Sequence, residues 1–90
     1  MRKKIHFHIL GKKGSDVFAM RNCLEEALRK FSDVQPTVVE VNDDNEMMTF
    51  GVSLTPALAI DGTVRIIGRV PASAEISFFI EEICRHDARP

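Results

Sequence analysis

A few side chains in this sequence have the chemistry to do more than fold: Cys23 and Cys84, His6 and His8, Ser15 and Asp16, and the paired Lys12 and Lys13. A thiolate is the strongest nucleophile on offer, but the two cysteines match no metal-binding or redox spacing. In a reducing compartment both are expected to be free thiols. His6 and His8 are two residues apart, which puts them on the same side of a strand. They would hold a metal only with a third ligand, and the sequence names none, so no metal is expected. A serine hydroxyl without a base partner does not attack at neutral pH. Ser15 and Asp16 therefore read as residues that cap the start of a helix. Lys12 and Lys13 lie beside the amides opening that helix and could attract an anion. Without a glycine-rich phosphate signature, they read more simply as a soluble loop.

The elements that must position these groups follow from periodicity. Lys4 to Leu10 alternates Ile5, Phe7 and Ile9 with His6, His8 and Leu10, the period of a strand with differently treated faces. From Ser15 to about Phe31, Val17, Met20, Leu24, Ala27, Leu28 and Phe31 recur at three and four, which predicts an amphipathic helix. Cys23 falls at the border of its apolar stripe and reads as a structural thiol. A break at 32–36 leads to a β-branched strand over Thr37 to Val41. The helix between these strands makes them a parallel pair with a right-handed crossover.

Asp43, Asp44 and Asn45 offer caps for a short helix through Met47, Met48 and Phe50, ended by Gly51. The methionines and Phe50 read as core under a loop. Pro56 to Ile60 and Thr63 to Ile67 are apolar runs joined by Asp61-Gly62, a tight hairpin signal. A last helix over Ser73 to His86 carries Ile76, Phe79, Ile80 and Ile83 on one stripe, with Pro71 just before it. Cys84 borders that stripe. Phe78 falls on the opposite side, as an isolated surface residue or part of an association surface. The order is β-α-β-α-β-β-α, an α/β domain, with 86–90 as a frayed tail.

Ninety residues, 44% apolar and 28% charged, suit one domain over 1–90 with little room for a deep internal pocket. Twelve Lys and Arg against thirteen Asp and Glu leave a net charge of −1, which argues against a nucleic-acid binder that depends on counterion release. No signal-peptide core or membrane-spanning run is found, so no membrane association and a cytoplasmic location are expected.

The element order, the dipeptide Thr55-Pro56 opening the third strand, and the stretch LTPALAIDGTVRIIGRVPASAEI together resemble a known family. They are similar to small thioredoxin-like proteins, among them redox-active disulfide protein 2 and archaeal thioredoxin/glutaredoxin-like proteins. The similarity extends from Ile5 to about Ile83 and is densest between Gly51 and Glu75. It implies a four-stranded mixed sheet with the first strand central, the two long helices on one face and the short helix on the other. It also implies a cis bond before Pro56, leaving the backbone of Thr55 free to pair with a partner's extended chain near the first helix.

Active relatives of this kind carry Cys-x-x-Cys where that helix begins, and the helix N-terminus there lowers a thiol pKa. In this sequence those cysteine positions fall on Gly14 and Val17, so the signature nucleophile is missing. The leading expectation is a redox-inactive, non-catalytic module with no cofactor. It would bind a protein or peptide through Gly14, Ser15, Asp16, Val17, Thr55 and Pro56. Against it stands a thiol-disulfide oxidoreductase or redox sensor using Cys23, with or without Cys84. A third expectation is a structural subunit of a larger assembly; Phe78 is the interface candidate, and a homo-oligomer is one form of association.

Overall fold

The computed structural model describes residues 3–87. Seven elements run in order: β1 (Lys3–Leu10), α1 (Ser15–Leu28), β2 (Val34–Val41), α2 (Asp44–Thr49), β3 (Ala57–Ile60), β4 (Thr63–Ile67) and α3 (Ser73–Asp87). The sheet order is β2-β1-β3-β4, with β1 parallel to β2 and antiparallel to β3, and β3 antiparallel to β4. The fold is the mixed four-stranded sheet that the resemblance implies, with β1 inside it.

Alternation along β1 divides the apolar residues between two cores. Ile5, Phe7 and Ile9 pack with Leu58, Ile60 and Ile66 beneath Val17, Met20 and Leu24 of α1 and Ile76 and Ile80 of α3. On the other face, Leu10, Val41, Ala57 and Ala59 meet Met47 of α2 and Val52. His8 is half-buried on this second face, its ring 5.1 Å from that of Phe50, and His6 is exposed. Cys23 and Cys84 are half-buried free thiols at the margin of the first core.

Five local readings need correction. Ser15 does not cap α1: Gly14 is the N-cap residue, no side chain caps the helix, and the Gly14 carbonyl accepts from the Phe18 N–H at 3.0 Å. The helix stops at Leu28 rather than near Phe31, yet Phe31 still packs against the core from the following turn, which is why its spacing looked helical. Strand β2 begins at Val34 and runs through Pro36, because β2 is a sheet edge where a missing N–H leaves no ladder bond unmade. Met48 is exposed rather than core, while Met47 is buried. The tail expected from residue 86 is helical through Asp87, and 88–90 lie outside the described residues.

Strand β4 carries a bulge. Leu58 pairs with Ile66 and Ala59 with Val64, so Arg65 is the extra residue. The bulge breaks the alternation. Val64 joins the second core, Ile66 the first, and Arg65 reaches the α3 side, its guanidinium carbon 5.6 Å from the Phe79 ring centre.

Candidate functional site

The site is assembled where β1 ends, α1 begins and the chain turns into β3. Gly11 is the hinge of this arrangement. Its N–H donates to the Val41 carbonyl at 3.0 Å, and its own carbonyl accepts from the Asn42 side chain at 2.7 Å. A Cβ at Gly11 would stand 3.0 Å from Val17 Cγ2, 3.6 Å from Thr55 Cβ and 3.7 Å from Pro56 Cα. The first of these is tighter than nine in ten real Cβ contacts, so the Val17 side chain would have to give. With a φ of 154° as well, this position suits glycine at the close approach of the first turn of α1 to the Thr55-Pro56 turn.

The sequence-predicted groove residues are therefore brought together, although they divide by exposure. Gly14, Ser15, Asp16 and Thr55 are exposed, whereas Val17 and Pro56 are buried. The Thr55–Pro56 peptide bond is cis. Among the described residues, no turn or loop hydrogen bond engages the Thr55 N–H or carbonyl, while the Pro56 carbonyl accepts from the Gly68 N–H at 2.8 Å.

Beside Thr55 a hollow of about 410 Å³ opens, lined by Lys12, Asp44, Met47, Met48, Val52, Ser53 and Thr55. Lys12 Nζ stands 3.1 Å from Asp44 Oδ1 across its rim, an exposed ion pair. That pair gives Lys12 a plainer role than anion capture, joining the loop before α1 to the start of α2. Asp43 caps α2, its carboxylate accepting from the Glu46 N–H at 3.1 Å.

Cys23 lies six residues beyond Val17 on α1, roughly 9 Å along the axis at 1.5 Å per residue. It does not reach the groove. Cys84 lies on α3, at the margin of the large core. His6, His8 and the nearest carboxylates form no metal-holding cluster among the described residues. Phe78 is 57% exposed on α3.

Sequence reasoning passed over Phe18, 66% exposed in the first turn of α1, and Leu54, 63% exposed just before Thr55. The signal for Phe18 was available: it is an aromatic off the 17-20-24 stripe, as Phe78 is off the stripe of α3. Gly11 and Asn42 carried no such signal, because their role is a tertiary contact between loops.

Among the described residues no helix is long and apolar enough to cross a membrane. No curated protein is similar enough to the chain to be matched to it. The sequence profile of a thioredoxin-domain family, Thioredoxin_3, matches residues 5–81, which include Gly14–Val17, Thr55-Pro56 and nearly all of the sheet and helices. The chain belongs to this thioredoxin-domain family.

Proposed function

We propose that the protein is a binding module that takes an extended peptide segment through the groove between Gly14–Val17 and Thr55–Pro56, without disulfide chemistry. The observation that supports this reading is the close approach of Val17 to Thr55 and Pro56 around Gly11, with glycine and a buried valine at the positions where the resemblance places the thiols of active relatives. The unengaged Thr55 backbone offers a donor and an acceptor, the means by which an extended chain adds to an edge. Exposed Phe18, Leu54 and Met48 around it supply apolar contact area, and the hollow beside Thr55 has room for a side chain.

The test is to select binders from a random peptide library and map backbone amide shifts in the labelled protein. Shifts centred on Ser15–Val17 and Thr55 are expected. Shifts confined to another surface would end the proposal, as would catalytic disulfide reduction by the Cys23→Ser, Cys84→Ser double variant.

The competing reading, a thiol-based redox protein, draws on one observation: Cys23 and Cys84 are both half-buried and pack against the same core, beneath the two helices that lie side by side. The alkylation rate of each thiol across pH separates the two readings. A thiol titrating well below the ordinary value of about 8.5 favours redox chemistry. Two slow thiols favour the binding module.

A further inference from the structure

Away from the groove, β4 and α3 frame a notch of about 230 Å³ lined by Arg65, Phe78, Phe79, Glu82 and Ile83. The bulge in β4 is what puts Arg65 on its rim, above the Phe79 ring. Phe78 and Glu82 are one helical turn apart and form the opposite rim. Phe78 is 57% exposed, an expensive position for a phenyl ring in water, and its own ring meets Phe79 edge-on with centroids 6.0 Å apart. Among the described residues, neither Arg65 nor Glu82 has an ion-pair partner within the chain.

We propose that this surface is a homodimer interface, occupied by a second copy of the chain related by a two-fold axis, with each copy's Phe78 entering the other's notch and each Arg65 meeting the partner's Glu82. Two features of the notch select this occupant. The first is charge. A two-fold axis brings residue i against j and j against i, so a surface carrying one unpaired cation and one unpaired anion on opposite rims is complementary to itself. A uniformly acidic or basic partner would leave one of the two charges opposed.

The second feature is size. A cavity of about 150 Å³ accepts a benzene ring. The notch has room for one phenyl group, and the protruding group beside it is a phenyl group. Phe78 near the centre, with Arg65 and Glu82 around it, follows the usual pattern of an aromatic anchor within a polar rim. The bulge and the Arg65 side chain also make β4 a poor template for adding a strand, so contact through side chains is favoured over sheet extension.

The charge arrangement yields a test that a rearrangement within one chain cannot imitate. Molecular mass is measured by sedimentation equilibrium over a concentration series reaching on the order of 1 mM. The native protein should approach dimer mass. Arg65→Glu and Glu82→Arg should each raise the dimer dissociation constant by about tenfold or more, because each creates two like-charge pairs across the axis.

An equimolar mixture of the two variants should regain dimer mass, since the heterodimer again pairs opposite charges at both contacts. Phe78→Ser should be monomeric with an unchanged circular dichroism spectrum, the residue being exposed. A native protein that stays monomeric throughout the series overturns the proposal. So do variants that dimerise as the native chain does, which would place the contact elsewhere, or a mixture that remains monomeric.

Discussion

Helices of fourteen and fifteen residues cover one face of the sheet, and a helix of six covers the other. Beneath the long helices, Ile5, Phe7, Ile9, Met20, Leu24, Leu58, Ile76 and Ile80 have no appreciable exposure, and the face is sealed by apolar volume. The short-helix face leaves Val39, Met48, Leu54 and Ile67 in the open and only half-buries His8 and Phe50. What holds its loops is largely polar: Asn42 on the Gly11 carbonyl, Lys12 with Asp44, and Asp43 on the Glu46 amide. The hollow beside Thr55 lies on this lightly covered side. The heavy face is closed by apolar packing, and the light face leaves apolar side chains exposed to solvent.

The largest expected effects break that comparison directly. Leu24→Ala, on the heavy face, should cost about 4 kcal/mol, because two helices and a sheet surround the vacated volume and limit collapse. Met47→Ala, on the light face, should cost about 2 kcal/mol, since α2 is a single short turn-and-a-half that can settle inward. Urea midpoints at constant m give both values. Equal losses would mean that the two faces are equally packed and that the contrast is only one of area.

Next in size is the junction between the faces. Gly11→Ala places a methyl group 3.0 Å from Cγ2 of the buried Val17. The expected cost is about 1–3 kcal/mol from overpacking, with loss of peptide-induced shifts at Thr55. Unchanged stability together with unchanged binding would show that the close approach of α1 to the Thr55-Pro56 turn is dispensable. Asn42→Ala should cost about 1 kcal/mol by removing the hydrogen bond to the Gly11 carbonyl. Its amide exchange should rise in the loop before α1 and stay unchanged beneath α1 and α3. Exchange rising evenly across the sheet would put Asn42 in the global fold instead of the light face.

Much of the heavy face was legible in sequence because it obeys simple periods: two along β1, three and four along α1 and α3. Asp61-Gly62 likewise announced its hairpin, and both residues have the positive φ values, 50° and 84°, that this tight turn uses. The light face and the site were less legible, since tertiary contacts decide them. Pro36 reads locally as a strand breaker, and only its place at the sheet edge permits it. Ser15 has the composition of a cap, but the helix begins with the preceding glycine in the N-cap position. The bulge at Arg65 has no local signature either. It shows only in the register of β4 against β3, where two consecutive residues turn to the α3 side.

The smallest effect sharpens the comparison from the heavy side, where one polar clamp does the work that apolar volume does elsewhere. Glu75, in the first turn of α3, accepts two hydrogen bonds from Arg69 at 2.9 and 2.7 Å and a third from the Ala72 N–H at 3.2 Å. Arg69, chiefly through these hydrogen bonds, holds the Glu75 carboxyl down at about 2 from its ordinary 4.5. A carboxyl depressed on folding stabilises the folded chain fully above its unfolded pKa, and that contribution fades as pH falls from 4.5 toward 2. The group is exposed, so the effect is modest and screened by salt. Glu75→Gln keeps an acceptor for the Ala72 amide, as either residue does at this capping position, and removes the charge. Urea midpoints of the native and Gln proteins should differ by a constant amount above pH 4.5 and converge below it. Curves that stay parallel into acid would assign the difference to shape, leaving the start of α3 held by packing like the rest of that face.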